Sequence, residues 1–301
     1  MHQPDPRIPH RLDAFAVHEA VDLGFSQHAL RDGTLAAPTR GVRLPSAVGD
    51  TAHDLFAALL AVQRPRQFFS HSTAAMIHGL PLPRRIRLVP IHVASPSYTA
   101  RMRRPGVVGH RIKARVVEVA GFAVESLEDC FVHVASELDH DELVVVGDAI
   151  VATGRSNRLT IGELTEHTEH FRGARGMSRV GRALGAIRVG SESPRETRLR
   201  LLLVRAGIPA PELQVVVRTD DGEFIGRLDM GWRALRVGVE YDGQQHRLED
   251  RQYALDIDRH RRLQQAGWTI VRVTARDLDD GGRKVVQLVR AAIRRSGSGA
   301  R

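Results

Sequence analysis

The stretch Phe224-Ile225-Gly226-Arg227-Leu228-Asp229-Met230-Gly231-Trp232, followed by Arg233-Ala234-Leu235 and then by Arg236-Val237-Gly238-Val239-Glu240-Tyr241-Asp242, decides the reading of this chain. Both flanks are rich in aliphatic and aromatic residues, and only the short middle piece separates them. They are therefore expected to form a hairpin of two strands, Phe224 to Trp232 and Arg236 to Asp242. Glu240 and Asp242 occupy alternate positions, and strand periodicity puts both on one face. Asp229 comes from the partner strand, and the short connection sets it across from them. Carboxylates converging on a sheet repel one another and lose hydration, which is costly unless a cation neutralises them. Oxygen-only ligands suit Mg²⁺ or Mn²⁺, and a partly hydrated divalent ion can activate a water against a phosphodiester. Asp229, Glu240 and Asp242 are thus the candidate metal ligands and catalytic acids.

Upstream, Ser193-Pro194-Arg195-Glu196 reads as a helix start, with Ser as cap, Pro in the first position and Glu in the third, a capping box. The helix runs Thr197 to Ala206, turns Leu199, Leu202 and Leu203 inward, and stops at Gly207. A strand, Gln214 to Arg218, and a turn at Asp220-Asp221-Gly222 lead into the hairpin. Downstream, Gly243-Gln244-Gln245-His246 opens a charged helix carrying Asp256, Asp258, Arg259, Arg261 and Arg262. Gly267 ends that helix, Trp268 to Val273 is a buried strand, and Gly281 to Arg295 is a basic amphipathic helix.

The order of these parts is a helix with Glu, three strands, Glu-x-Asp-Gly leading to His, a helix with Asp-x-x-Arg, then Gly-Trp-x-x-x-Arg. It resembles the Vsr-like family, relatives of the very-short-patch-repair endonuclease within the PD-(D/E)xK nuclease superfamily, over about Ser193 to Arg295. The resemblance implies Glu196 as an accessory acid and Asp229 as the main metal ligand, with Glu240 and Asp242 beside it. It implies His246 as general base or positioner of the metal's water, and Arg259 and Arg262 as contacts to nucleic acid, with Asp258 at a matching polar position. One departure stands out. The superfamily pattern ends in Glu-x-Lys, and here Asp242 takes the lysine's place, which leaves His246 to supply that role or the site without catalysis.

Near the N-terminus Phe15, Val17, Ala20, Val21 and Leu23 recur at helical spacing, and Gly24-Phe25-Ser26 breaks the pattern. Ser26 can cap a second helix, Gln27 to Arg31, and Thr34 to Leu44 reads as two short strands around Pro38-Thr39-Arg40-Gly41. Helix, turn, helix and a two-stranded wing is the grammar of a winged helix-turn-helix. With Arg40-Gly41-Val42-Arg43-Leu44-Pro45 as its wing, the block is similar to the N-terminal domain of type IV abortive-infection antitoxins, less that wing's aromatic residue. That resemblance implies Gln27, His28 and Arg31 in the major groove, with Arg40 and Arg43 on the wing.

Between these ends, helices are expected at Asp54 to Val62 and Ser72 to Ile77, and strands at Arg87 to Val93 and Val107 to Ile112. The loop between the strands holds Arg101, Arg103 and Arg104, either a phosphate-contacting tip or a solvated turn. Residues 123–190 read as helical, with helices at Leu127 to Leu138, Leu143 to Ala152, Ile161 to His170 and Gly176 to Ile187. His71 and His78 share a helix face but lack a third ligand at suitable spacing, so they read as packing or capping histidines. Glu166-His167-Thr168-Glu169-His170 lacks the spacing of a zinc-protease helix and reads as a solvated face.

Lys+Arg number 44 against 35 Asp+Glu, a formal net charge of +9 that favours polyanionic partners, nucleic acid before membrane. The single cysteine, Cys130, excludes a disulfide framework and a cysteine-based zinc site. No apolar run is long enough to cross a membrane and no signal-peptide core opens the chain, so a soluble, cytoplasmic protein is expected. The expected fold class is α+β and multidomain: a winged helix-turn-helix at 11–48, a mixed α/β middle at 51–190, and a PD-(D/E)xK-like α/β/α nuclease core at 193–298. The expected function is a DNA-binding protein with an Mg²⁺-dependent endonuclease domain. The alternatives are a non-catalytic, antitoxin-like regulator that keeps a nuclease fold, and a nuclease acting on RNA.

Overall fold

The computed structural model describes residues 15–31, 33, 35–37, 40–45, 52–173, 176–242, 250–278 and 281–298. Among them the chain forms ten α-helices and three sheets, a mixed α/β architecture. It divides into two compact units, Met1–Glu137 and Leu138–Arg301. No helix of the described residues is long and apolar enough to cross a membrane.

The first unit begins with strand β1 (Phe15–Ala16) and helix α1 (Val17–Asp22). Strands β2 (Leu35–Ala36) and β3 (Val42–Pro45) complete a three-stranded sheet of order β1-β3-β2. The helix expected from Phe15 therefore starts later: Phe15 pairs with Arg43 in the antiparallel ladder, where an aromatic side chain fits the pleat. The second helix expected at Gln27 is a single 3₁₀ turn, Ala29–Arg31, although Ser26 does cap it, its Oγ accepting the Ala29 N–H at 3.2 Å.

A five-stranded sheet follows, of order β6-β5-β4-β8-β7. Its strands are β4 (Phe68–Phe69), β5 (Ile91–Ser95), β6 (Val107–Arg111), β7 (Val116–Val119) and β8 (Phe122–Glu125). Helices α2 (Ala52–Leu60), α3 (His71–Ile77) and α4 (Leu127–Val134) belong to the same unit. Phe56, Phe69 and Phe122 meet in its core, the last two edge-to-face with centroids 5.7 Å apart. The β7–β8 hairpin corrects the reading of residues from 123 as helical. Ala120 and Gly121 both adopt left-handed backbone conformations (φ +51° and +81°), the two-residue turn that closes a tight hairpin between Val119 and Phe122. Ser126, whose Oγ accepts the Asp129 N–H, then starts α4.

The second unit opens with helices α5 (His140–Val151), α6 (Ile161–Glu169), α7 (Met177–Ala186) and α8 (Pro194–Arg205). Strands β9 (Glu212–Arg218), β10 (Phe224–Trp232) and β11 (Val237–Tyr241) run antiparallel in turn. Helix α9 (Asp250–Gln265) carries the chain over to β12 (Thr269–Val273), which pairs parallel with β11, and α10 (Arg283–Ser298) closes the unit. Leu199 and Leu203 of α8 and Val285 and Val289 of α10 share one apolar cluster with Met230, Val239 and Val273. Leu263 of α9 packs in a second cluster with Val215, Val217, Ile225 and Leu228. Helices α5 and α8 are joined by charge. The buried Asp148 carboxylate takes Arg200 and the Thr197 hydroxyl, each at 2.8 Å, and its other oxygen accepts the Arg188 N–H at 2.8 Å. Residues 140–187 thus group with the C-terminal elements, and the division at Glu137 runs through the expected middle region.

Candidate functional site

The register of β10 against β11 pairs Met230 with Val239 and Gly231 with Gly238, and one step further sets Asp229 opposite Glu240. At that step the ladder changes character. Tyr241 gives its N–H to the Asp229 side chain, with Oδ2 accepting at 2.6 Å. On the other flank, the register of β9 brackets Gln214 against Asp229. Gln214 has a left-handed backbone (φ +51°), unusual for a non-glycine strand residue and of the kind that collects at functional positions. Its neighbours Leu213 and Val215 pack in different apolar clusters, as do Leu228 and Met230 around Asp229. Residues two apart in a regular strand share a face, so both strands re-aim their side chains at this step.

Glu196 approaches from the first turn of α8 and is buried. Ser193 Oγ accepts the Glu196 N–H at 3.2 Å, as its capping role requires. The Glu196 carboxylate takes the N–H of Glu192 at 2.9 Å, and Gln214 Nε2 donates to it at 3.3 Å. The reciprocal half of the expected capping box is therefore replaced by a bond one residue further back.

The Asp229 carboxyl is pushed up from 3.8 to about 6, chiefly by burial. The Tyr241 N–H opposes the shift, and Glu196, Glu240 and Glu192 add to it by repulsion. Glu240 is compensated differently. Arg259 of α9 holds it with two bonds, 2.6 and 3.1 Å, and Arg272 Nε lies 3.9 Å away. Burial disfavours the Arg259 charge, but the bonds to Glu240 outweigh it and the pKa of Arg259 is raised. Asp242 lies half-buried one residue beyond β11, where its N–H donates to the Val273 carbonyl at 2.8 Å. His246 lies outside the described residues.

Asp229, Glu240 and Glu196 are thus brought to one place, with Asp242 at the end of the same strand. Among the described residues, the His, Cys, Asp and Glu trio whose ligand atoms all lie within 4.8 Å of one another is not this acidic one but His71, His92 and His110. Arg262 of α9 pairs with Glu223 at 2.7 Å, and Asp258 is exposed. In the first unit Gln27, His28, Arg31 and Arg40 are exposed, whereas Arg43 folds back onto the carbonyls of Leu30 and Val42. The Arg101, Arg103 and Arg104 loop does more than turn the chain. With Arg64 and Arg111 it lines a cleft of about 440 Å³ whose floor includes Gln67. Sequence reasoning missed Gln214, Arg64 and Arg111, because their partners are remote in the chain.

The chain is 28% identical over 219 residues to an uncharacterized protein of Mycobacterium tuberculosis, found in each of two strains. The match covers 72% of this chain and 78% of the relative. No protein-family model matches the chain, and no solved structure does.

Proposed function

We propose that the second unit is a nuclease-type domain of the Vsr-like kind, acting on nucleic acid phosphodiesters, DNA first. The observation that carries this reading is the placement of Asp229 opposite Glu240 beside buried Glu196, in a sheet whose helix–three strands–helix–strand order matches the one the resemblance implies. The oxygen donors suit a hard divalent cation: Asp229, raised chiefly by burial, is also repelled by Glu196, Glu240 and Glu192, and a cation held there would relieve both costs. Mg²⁺ or Mn²⁺ would be held by Asp229, with Glu240 and Asp242 beside it, and when bound would polarise the phosphate and lower the pKa of its water. Tyr241 fixes the Asp229 carboxylate through its N–H, and Gln214 fixes Glu196. Without a cation Asp229 binds a proton below about pH 6, so proton and cation compete for it and metal uptake weakens as pH falls through that value. The Arg-lined cleft of the first unit supplies sequence-independent contacts to phosphates, and the exposed Gln27, His28 and Arg31 of a winged-helix-like N-terminus face the major groove with Arg40 on the wing.

A second reading has its own observation. Arg259 already places a positive charge on Glu240, as a non-catalytic, antitoxin-like DNA binder with a nuclease fold would do. One experiment separates the two. Supercoiled plasmid is incubated with the protein and Mg²⁺ or Mn²⁺, beside Asp229→Ala. Nicking by the parent alone supports the catalytic reading. Equal nicking by both, or none by either with DNA binding unchanged by chelator, overturns it in favour of the second.

A further inference from the structure

Four histidines far apart in sequence meet in the first unit. His71 opens α3, His92 lies on β5, His110 on β6 and His133 in α4. The rings of His71 and His110 stack with centroids 3.8 Å apart, and those of His92 and His110 with centroids 5.0 Å apart. His110 Nε2 and His92 Nδ1 are 3.0 Å apart, a distance at which one donates a proton to the other. On its far side His92 Nε2 lies 3.5 Å from the Glu137 carboxylate, which also accepts from the N–H and hydroxyl of Ser72. Glu125, fully buried, accepts the His71 N–H at 2.6 Å and pairs with His133 Nδ1 at 2.7 Å. His71 is held in a left-handed backbone conformation (φ +55°), which the Glu125 bond helps to maintain.

We propose that His71, His92 and His110 form a binding site for a divalent transition-metal ion, zinc in the first place. Each offers one ring nitrogen, and the three lie within 4.8 Å of one another. A tetrahedral zinc ion with bonds of 2.0–2.1 Å sets its nitrogen ligands about 3.3 Å apart. The His92 and His110 nitrogens need to open by only a few tenths of an ångström to reach that spacing, and the His71 ring has to turn out of its stack on His110 to aim a nitrogen at the same point. Imidazole suits zinc, cobalt, nickel and copper, and does not suit the hard cations that the carboxylate site prefers. Glu137 supplies the expected outer partner. If the proton between His92 and His110 sits on His92 Nδ1, the ion takes that nitrogen and the proton moves to Nε2, facing Glu137, so His92 stays neutral. A carboxylate behind a ligating histidine fixes its tautomer in this way.

Protonation does not compete near neutral pH. Burial first, and then repulsion among the rings, lowers His71 to about 2. Burial and the charges of His92, His133 and Arg101 lower His110 to about 4. His92 is lowered by burial against the pull of Glu137. Neutral imidazoles expose the lone pairs a metal needs. The site is independent of the nuclease reading and stands or falls without it.

The test uses the full chain stripped with chelator and titrated with ZnCl₂ calorimetrically, and with CoCl₂ by visible absorption. One tight site is expected, with cobalt bands of a tetrahedral nitrogen-containing centre. His92→Ala and His110→Ala each weaken it by about 100-fold or more, Glu137→Gln by about 10- to 100-fold, and Arg172→Ala leaves it unchanged. Parent-like affinity in either histidine variant, or no uptake by the parent at micromolar zinc, overturns the proposal. Circular dichroism checks that the variants fold. A measurement on the parent alone needs no variant: zinc protects His92 and His110 from diethylpyrocarbonate, read by peptide mass, and equal modification with and without zinc overturns the site.

Discussion

The molecule has two buried polar centres built on opposite principles. In the first unit, the carboxylates of Glu125 and Glu137 face donors: N–H groups, a hydroxyl and imidazoles. In the second unit, Asp229 faces Glu196, Glu240 and Glu192, with one N–H to satisfy it. A polar group with its partners in place holds a fold together, and one crowded by its own kind stores capacity to bind something else. The second unit also contains its own counterexample. Asp148 is buried and its pKa is raised by burial like that of Asp229, but it has a guanidinium, a hydroxyl and an N–H as partners.

The contrast predicts that removing carboxylates changes stability with opposite signs. The largest effect is expected for Asp148→Ala, which strands the buried Arg200 charge and costs about 3–5 kcal/mol in urea denaturation. A loss below about 1 kcal/mol would break the comparison within one unit. Next is Glu125→Ala. It leaves the His71 N–H without its acceptor and removes the pairing of His133, and costs roughly 1–3 kcal/mol per orphaned group, read as a fall in Tm.

Asp229→Asn should go the other way. The folded-state pKa lies above the unfolded value, so the folded protein binds the extra proton. Its carboxylate therefore penalises folding fully above about pH 6 and not at all below 3.8. The variant keeps an acceptor for the Tyr241 N–H and gains at most about 2–3 kcal/mol at pH 8. That gain should fade between pH 6 and 3.8; a pH-independent difference would show that packing, not charge, is responsible. The smallest effect belongs to Arg172→Ala, which removes an exposed pair with Glu169 at 2.9 Å and should shift stability by no more than about 0.5 kcal/mol. A larger change would mean that exposure does not separate the two kinds of site.

Legibility followed the range of the interactions. The strand Phe224–Trp232 was readable to its ends, because its apolar content and a short connection are local signals. The Ser193 cap and the final helix were readable for the same reason. Phe68–Phe69 and the β7–β8 hairpin were not, since two- and four-residue strands have no period to detect and their turn relies on a left-handed alanine. His78 does serve packing, its Nε2 bonding the Glu125 carbonyl at 2.8 Å. His71 was harder: spacing along one helix linked it to His78, whereas β5, β6 and α4 bring it His92, His110 and His133. That the strands of Asp229 and Glu240 form a hairpin was legible in sequence, but the Arg259 clamp on Glu240 depends on where α9 crosses the sheet.

That crossover also sets an order in time. Asp229 and Glu240 lie on strands joined by a four-residue connection, and hairpins of this kind close in about 1–10 μs. Arg259 and Arg272 arrive only when α9 has formed and β12 has docked in parallel, a non-local closure and therefore slower. During refolding the two acids meet before either of their cations. Early closure of this hairpin is consequently opposed by its own charge near neutral pH and eased in mild acid, so pH acts on the rate of assembly as well as on the finished site.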